Sequence, residues 1–307
     1  MIHHVFATKS NIGDWLSARA IQSLLAPLTV VEHLCDEPFV PETLRRLRET
    51  REDDLIVIGG GGLFMDYFAP FWEGFREIGN RVPFCIWGVG FCDVKSGNSR
   101  ASESLLREVV RAAGVCSVRD ELTRTYLGVE MVQRPVPCPA LSFVHTAAPG
   151  WGVLHADHYD VVGEGAYERV NRTVRAFAAE SGRPLFETDN QIADGKEAEL
   201  NRDLDRYAAA DIVVSSRLHG CIIGLAMGRK VIAVSGDRKV ESFMTAAGMS
   251  DWVIGAEGTE QLPNLLQAID RQLAPAEFLE YARVENRRIA EQVRVLATTG
   301  RVLAATV

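Results

Sequence analysis

The sequence has no long apolar run and no surplus of positive charge, and each absence excludes a class of protein. No apolar stretch approaches the ~18 residues that a membrane-spanning helix needs. Residues 1–7 lack the basic flank and the long apolar stretch of a signal peptide. The formal net charge of −8 argues against broad binding to nucleic acid or to anionic membranes. We therefore expect a cytoplasmic protein with no membrane span, for which peripheral membrane association stays open.

Paired cysteines and the common nucleotide-binding motifs are also missing. The six cysteines form no CxxC pair, and several lie in apolar runs such as residues 83–87, so we expect buried, reduced thiols. Four glycines at 59–62 follow an apolar run. They match neither the GxGxxG fingerprint nor the P-loop, because no distal acid and no Gly-Lys-Ser/Thr accompany them. We expect no nicotinamide or ATP site and no resident cofactor.

The chain contains a regular alternation of short apolar runs and amphipathic segments. In the first half, the runs Ile2–Ala7, Leu55–Ile58 and Phe84–Val89 predict strands, and the apolar spacing of Asp14–Leu25 predicts a helix. Runs that are apolar throughout suit parallel strands covered on both faces. The alternation of strands and helices therefore favours an α/β fold with a doubly wound parallel sheet.

A cluster of prolines marks the expected domain boundary. Four prolines and Gly150 punctuate residues 135–150, after which the same strand–helix alternation begins again. We predict two Rossmann-like domains, with residues 1–148 on the acceptor side and residues 149–307 on the donor side. From Thr259 onward the pattern predicts helix, which we expect to pack back on the first domain. A ligand cleft should lie between the domains, at the carboxyl ends of their strands.

The segment with the strongest chemical character is Ser216-Arg217-Leu218-His219-Gly220. An apolar strand predicted at residues 212–214 ends abruptly in this cationic, titratable cluster, and residues 218–227 predict a helix. Arg217 and His219 should thus lie at a helix N-terminus on the cleft side. There the guanidinium and the backbone N–H groups make an anion pocket. A histidine with a purely structural role is the alternative.

Two segments of the first half also follow predicted strands. Asn11 and Asp14 begin the first helix, where Asp14 can hold an acceptor hydroxyl, act as a base, or simply complement the helix dipole. Gly60 and Gly61 lie in the glycine run. Their backbone N–H groups can approach an anion closely, or the run can serve only as a tight turn.

Arg119 follows another predicted strand and precedes a predicted helix. Its guanidinium can form a two-pronged contact with a carboxylate or a phosphate. The alternative is an ion pair with the neighbouring Asp120 or Glu121.

In the second half, Lys239 and His155 are the remaining candidates. Lys239 follows the strand next to that of Arg217, so it can add positive charge to the same pocket, and Asp237 can contact sugar hydroxyls; a capped turn is the alternative. The run His155-Ala156-Asp157-His158 suggests metal binding, but no third ligand stands at a recognisable spacing. We expect no metal and assign His155 a hydrogen-bonding role toward substrate.

In order and rough spacing these segments resemble the polysaccharide pyruvyl transferase family, from residue 3 to residue 250. The resemblance is carried by Asn11-Ile12-Gly13-Asp14, Gly59–Gly62, Val118-Arg119-Asp120-Glu121, Ser216-Arg217-Leu218-His219-Gly220, residues 226–233 and Asp237-Arg238-Lys239-Val240. It implies a GT-B-like fold and transfer of a pyruvyl group from phosphoenolpyruvate to a sugar or lipid-linked glycan, forming a ketal, in exopolysaccharide biosynthesis.

The resemblance also implies roles for individual residues. Arg217 and His219 would hold the donor, and Arg119 is the candidate for a further donor-binding arginine. The chain departs from the family at Cys138-Pro139, where family members often carry Asp-Pro. We hypothesise that His219 is the general acid or a phosphate partner and that Asp14 is a base.

Two other functions suit the same architecture. A nucleotide-sugar glycosyltransferase or epimerase of GT-B type would need a base pocket and a ribose-binding carboxylate, which Glu187 or Asp189 can supply. A non-catalytic sugar-binding or scaffold protein would have a degenerate cleft, against which the retained Arg217 and His219 argue.

Overall fold

The computed structural model describes residues 1–92, 102–128, 130, 132, 134–157 and 162–299 of the chain. These residues form two parallel five-stranded sheets with helices around them. The strands of the first sheet are β1 (Ile2–Phe6), β2 (Val30–Leu34), β3 (Leu55–Gly59), β4 (Phe84–Val89) and β5 (Val115–Val118). Those of the second are β6 (Gly152–Ala156), β7 (Leu185–Thr188), β8 (Ala210–Ser215), β9 (Lys230–Ser235) and β10 (Val253–Gly255).

Both sheets have the same connectivity. The first runs β2-β1-β3-β4-β5 and the second runs β7-β6-β8-β9-β10, and all their pairings are parallel. In each, the chain order reverses beside the first strand, which makes a switch point at the carboxyl ends of the strands. The two halves are thus two copies of one doubly wound arrangement.

Helices cover both faces of the sheets. They are α1 (Ile12–Leu25), α2 (Val40–Arg48), α3 (Ala69–Gly79), α4 (Glu103–Ala112), α5 (Glu121–Leu127), α6 (Ala140–Phe143), α7 (Glu164–Glu180), α8 (Glu197–Ala209), α9 (Leu218–Ala226), α10 (Arg238–Ala246), α11 (Leu262–Ala268) and α12 (Ala276–Thr299). The segment predicted to be helical from Thr259 onward is mostly helical, in more than one piece. The chain forms α11 and α12 with a non-helical segment around Pro275, since proline lacks the N–H that a helix interior needs.

The long helix α12 packs against the first sheet although it follows the second in sequence. Its buried face, which includes Ile289 and Val293, joins a core cluster with residues of β1, β3 and β4. Buried Asn286 accepts a hydrogen bond from Trp87 Nε1 at 2.8 Å and donates to the Pro137 carbonyl at 2.9 Å. This helix therefore links the first sheet to the segment that connects the two halves.

No helix among the described residues is both long enough and apolar enough to span a membrane.

Candidate active site

A cavity of about 360 Å³ opens where the carboxyl ends of the two sheets face each other. Backbone hydrogen bonds tie the two walls together: Ile12 N–H donates to Asn190 O at 3.0 Å, and Ile192 N–H donates to Ser10 O at 2.7 Å. The cavity is lined by Ala7, Thr8, Ser10, Asn11, Asp14, Asp36, Gly62, Met65, Tyr67, Phe68, Cys92, Arg119, Asn190, Gln191, Ser216, Arg217, Leu218, His219, Asp237 and Lys239. We call this cavity the cleft pocket.

Arg119 contributes a buried guanidinium to the cleft pocket from the end of β5. Its Nε donates to Asp120 Oδ2 at 3.1 Å, while Asp120 also caps α5 by accepting from Thr123 N at 2.8 Å. Burial opposes the charge, but Asp120 together with Cys92 and Cys138 outweighs it and raises the pKa of Arg119. Arg119 Nη2 is buried and has no hydrogen-bond partner in the described structure. The ion pair with Asp120 therefore leaves one donor of the fork for a ligand.

Arg217 contributes a second guanidinium to the cleft pocket from the second half, at the N-cap position of α9. Its backbone N–H donates to Ser215 Oγ at 3.0 Å, which fixes the turn between β8 and α9. The Gln191 amide, oriented to satisfy both its atoms, accepts from Arg217 Nη2 at 3.2 Å. Arg217 Nε is buried without a hydrogen-bond partner among the described residues. A buried donor without a hydrogen-bond partner costs free energy. An anion that accepts hydrogen bonds from Arg119 Nη2 and Arg217 Nε would remove that cost.

His219 lies in the first turn of α9, with its ring against the backbone of Gly13. A Cβ at Gly13 would collide with the imidazole, so the absence of a side chain there makes room for the ring. His219 Nε2 lies 3.8 Å from Cys138 Sγ. Burial, and then the positive charges of Arg119, Lys239 and Arg217, lower the pKa of His219 well below its usual range. The imidazole is therefore neutral while the pocket holds no anion.

Lys239 adds a third cation from the start of α10. Its Nζ forms an ion pair with Asp237 Oδ2 at 2.9 Å and donates to Cys92 Sγ at 3.2 Å. Asp237 also caps α10 by accepting from Lys239 N at 3.0 Å. Although burial opposes it, the negative charge available at Cys92 and Asp237 raises the pKa of Lys239. Lys239 therefore stays charged inside the cleft pocket.

Asp14 is half-buried in the first turn of α1, on the same side as these cations. Asn11 caps the helix by accepting from Gly13 N at 3.0 Å and Asp14 N at 3.4 Å. Burial raises the pKa of Asp14 to about 6, against the opposing pull of Arg119 and the other two cations. A carboxyl group with such a pKa can accept a proton near neutral pH.

Asp36 and Tyr67 form the outer wall of the cleft pocket on the first half. The Tyr67 hydroxyl donates to Asp36 Oδ1, which also accepts from Glu37 N at 3.2 Å. Tyr67 is 43% exposed, so this wall faces solvent. Carboxylate and phenol groups at the rim can contact polar groups of a second, larger substrate.

One protein family matches the part of the chain that forms most of this pocket. The family described as polysaccharide pyruvyl transferase matches residues 11–238, most of the chain. The chain belongs to the polysaccharide pyruvyl transferase family. The match includes Arg119, Arg217 and His219 of the pocket and ends one residue before Lys239. The resemblance stated from the sequence is thus confirmed, and the protein is a transferase of polysaccharide biosynthesis at this level of description.

Solved structures share the fold at low sequence identity. UDP-GlcNAc 2-epimerase of Methanocaldococcus jannaschii, in complex with UDP-GlcNAc and UDP, has a TM-score of 0.61 at 9% identity, with 97% of this chain and 99% of that chain covered. The S. aureus MnaA–UDP co-structure has a TM-score of 0.59 at 10% identity, with 97% and 96% covered. A functionally uncharacterised Klebsiella pneumoniae protein has a TM-score of 0.53 at 14% identity, with 82% and 91% covered.

These similarities concern the fold alone. The predicted pair of Rossmann-like halves facing a cleft, as in GT-B proteins, is confirmed. No curated protein matches the chain.

Most of the residues that the sequence singled out meet in the cleft pocket. Those that line it are Asn11, Asp14, Arg119, Ser216, Arg217, Leu218, His219 and Lys239. Gly60 and Gly61 do not line it. Both have positive φ, and a Cβ would collide with Asp14 at Gly61 and press on Ser17 at Gly60, so they make the turn and leave room for α1.

Two further predicted contacts lie away from the cleft pocket. Gly220 is buried beneath the first turn of α9, where a Cβ would collide with Ser215 Oγ. His155 is buried in β6, bonded to Asp157 Oδ2 at 3.0 Å and stacked on Tyr167 at 5.7 Å between ring centroids. It is not among the residues that line the cleft pocket. His158 lies outside the described residues.

Several lining residues escaped the sequence analysis, notably Cys92, Gln191, Asp36 and Tyr67. Cys92 and Asp36 had a local signal, since they follow β4 and β2 just as other site residues follow strands. Tyr67 lies in a short 3-10 helix of the first half and reaches the pocket through its hydrogen bond to Asp36. Gln191 belongs to the second half, and its pairing with Asn11 brings it to the pocket.

Proposed function

We propose that this protein transfers a pyruvyl group from phosphoenolpyruvate to a sugar or glycan acceptor in the cytoplasm, forming a pyruvate ketal. The observation that carries the proposal is the convergence of three buried or half-buried cations, Arg119, Arg217 and Lys239, on one pocket. Phosphoenolpyruvate carries a phosphate and a carboxylate on adjacent parts of a small molecule. Two forked guanidinium groups and an ammonium match those charges.

The unpartnered guanidinium atoms support a small polyanion over a neutral sugar at this position. Arg119 Nη2 and Arg217 Nε are buried donors whose hydrogen bonds await a ligand. They come from opposite sheets, so one anion held between them also bridges the two halves. The N-terminus of α9 adds backbone N–H groups of the same polarity.

Donor binding would also prepare His219. Its imidazole is neutral because burial and three cations disfavour its charge. The negative charges of the donor offset those cations, so His219 gains a proton only in the loaded pocket and can then deliver it to the methylene carbon. The proton source is therefore active only when the donor is present.

The remaining steps balance without a further reactant. Protonation of the methylene carbon leaves an oxocarbenium-like centre, which a sugar hydroxyl attacks while Asp14 takes the hydroxyl proton. The carbon–oxygen bond to phosphate breaks and phosphate leaves. A second hydroxyl then attacks the same carbon to close the ketal. Asp14 passes the first hydroxyl proton to the departing phosphate, and the second hydroxyl proton goes to His219, which restores both residues.

A nucleotide-sugar activity is the second candidate, because two structures that share the fold, the M. jannaschii epimerase and S. aureus MnaA, contain UDP. The carboxylates proposed for a ribose lie elsewhere, however. Glu187 is held in an ion pair by Arg175 Nη2 at 2.6 Å, and Asp189 Oδ1 accepts from Gln191 N at 2.9 Å. Neither of them lines the cleft pocket.

Ligand-dependent stability separates the two candidates. At about 100 times its Kd, a ligand that binds only the folded protein raises the free energy of unfolding by about 2.7 kcal/mol. We expect this with phosphoenolpyruvate and not with UDP-GlcNAc. Arg217→Gln should lower affinity for phosphoenolpyruvate at least about tenfold, since a charge-assisted fork is lost. Arg175→Gln, which removes an exposed arginine away from the pocket, is the matched control. Stabilisation by UDP-GlcNAc alone would reverse the assignment.

A further inference from the structure

Cys92 lies in the wall of the cleft pocket and has no role in the chemistry described above. Gly62 makes room for it, since a Cβ at that glycine would lie 2.5 Å from Cys92 Sγ. Cys92 is the one cysteine among the residues that line this pocket. The thiol is therefore within reach of any small molecule that enters the pocket.

Two cations flank the sulfur. Lys239 Nζ donates to Cys92 Sγ at 3.2 Å. The guanidinium of Arg119 lies against Gly90, two residues before Cys92, in space that a side chain there would fill. Cys92 contributes to raising the pKa of both Lys239 and Arg119, although burial opposes each of them and Asp120 acts more strongly on Arg119. Reactive cysteines lie in electropositive surroundings next to lysine or arginine, and these two cations give the Cys92 sulfur such surroundings.

A second, independent feature marks this place as one that receives an anion. Arg119 is 5% exposed, and its Nη2 has no hydrogen-bond partner in the part of the chain that is described. The cysteine sulfur and a guanidinium with one unpartnered donor thus belong to one pocket. A reagent with its own negative charge would be drawn to the arginine and held beside the sulfur.

We propose that Cys92 is a nucleophilic thiolate inside the anion pocket and a selective covalent-modification site for small anionic electrophiles, such as haloacetates. In the reaction the sulfur attacks the carbon that bears the halide, a carbon–sulfur bond forms, and halide leaves with the bonding electrons. The carboxylate of the reagent pairs with Arg119 or Lys239. The modified side chain then occupies the space where the donor would bind.

Cys138 provides an internal comparison, because it too lies close to the site. Its Sγ is 3.1 Å from Ser17 Oγ and 3.8 Å from His219 Nε2. Yet it is fully buried, it does not line the cleft pocket, and burial raises its pKa. Burial also raises the pKa of the thiols of Cys35, Cys85, Cys116 and Cys221. A thiol with a raised pKa is a poor nucleophile at neutral pH.

The test compares alkylation by iodoacetate, which is anionic, with alkylation by iodoacetamide, which is neutral, each followed by mass spectrometry of peptides from the folded protein. We expect iodoacetate to modify Cys92 before any other cysteine. The ratio of the iodoacetate rate to the iodoacetamide rate should exceed that of glutathione by about tenfold, since cations next to the thiol attract the anionic reagent. Glutathione serves as the thiol without a cationic pocket.

Variants of two lysines on one strand–helix unit sharpen the test. Lys239→Gln should lower the rate ratio at Cys92 by about tenfold. Lys230→Gln should leave it unchanged, because Lys230 begins β9 at the opposite edge of the sheet and pairs with Asp270. An unchanged ratio in Lys239→Gln, or first modification at Cys138, would overturn the proposal.

Protection by phosphoenolpyruvate separates this inference from the proposed function. If both are right, phosphoenolpyruvate slows carboxymethylation of Cys92 and UDP-GlcNAc does not. Charge-selective labelling that phosphoenolpyruvate fails to slow would leave the thiolate site intact and contradict the donor assignment. A rate ratio at Cys92 no higher than that of glutathione would overturn the proposal for Cys92, whether or not phosphoenolpyruvate protects the sulfur.

Discussion

At the scale of single residues, the site depends on positions where a side chain is absent. Gly13, Gly62 and Gly90 each leave the space that His219, Cys92 and Arg119 occupy, respectively. None of the three has a positive φ, so close approach and not backbone conformation calls for glycine there. Each glycine is thus tied to one functional side chain across the pocket.

Gly13→Ala should displace the His219 imidazole, because the added Cβ would overlap the ring. Overpacking of this kind costs about 1–3 kcal/mol of stability, and we expect transferase activity to fall further than stability does. Thermal unfolding and phosphate release from phosphoenolpyruvate measure the two effects. Gly165→Ala is the control. Its Cβ would meet only Arg169 Nη1 at 3.5 Å, so full activity and unimpaired stability are expected. Wild-type activity in Gly13→Ala would show that the ring position is unimportant.

The raised pKa of Asp14 should make the free energy of unfolding depend on pH. Burial raises its pKa from 3.8 to about 6 in the folded protein, so between those values the folded state holds a proton that the unfolded state has lost. Stability must therefore fall as pH rises through this window and level off above about 6. Asp14→Asn mimics the protonated form and lacks this loss. In urea titrations, the stability of the wild type minus that of Asp14→Asn should be highest near pH 4 and decline toward pH 7. A difference that stays constant or increases over this range would contradict the raised pKa.

The sequence predicts well those residues whose chemistry shows locally. Arg119, Arg217, His219 and Lys239 each follow an apolar strand, and the carboxyl ends of such strands meet in a doubly wound fold. Gln191 lies in an irregular segment with no such signal, and only its pairing with the loop of residues 10–12 brings it to the pocket. Its place depends on how the halves dock, which no local pattern encodes.

At the scale of elements, tertiary contacts fix the position of helix α12 on the first sheet. One side of the helix is polar and exposed, and the other packs on the first sheet beside Trp87. The buried hydrogen bonds of Asn286 fix the register of the helix, since shifting it would leave Trp87 Nε1 without its partner.

Two valines of α12 test this packing. Val293 is fully buried against the first sheet, whereas Val284 is 45% exposed on the same helix. Val293→Ala should lower the free energy of unfolding by about 2 kcal/mol, because it removes buried methyl groups and leaves a cavity. Val284→Ala should change it by less than about 0.5 kcal/mol. Denaturant unfolding of both variants measures the difference, and equal effects would show that α12 is not held by this face.

Strands and helices were predictable to different degrees. The fully apolar run of β4, predicted at Phe84–Val89, gives the bounds that the structure has. The three-residue strand β10 is too short for a periodic signal, and the aromatic-rich α3 carries apolar residues on more than one face. Local patterns thus locate the elements that are long and regular, and tertiary contacts define the others.

At the scale of the whole molecule, three cations gather in one cleft of a chain whose net charge is negative. The chain carries a net charge of −8, yet Arg119, Arg217 and Lys239 converge on one cleft. The negative surroundings oppose non-specific binding of polyanions, while the cleft still attracts a small one. Because both sheets contribute cations, neither half has the complete anion site by itself.

The most direct test of the central claim is acceptor-dependent phosphate release from phosphoenolpyruvate, with the sugar product identified by mass spectrometry. We expect phosphate release in step with a product whose mass equals acceptor plus pyruvate minus water. We also expect Arg217→Gln and His219→Gln to abolish both. Conversion of a UDP-sugar by the same protein, with phosphoenolpyruvate left unchanged whichever sugar is offered, would contradict the central claim.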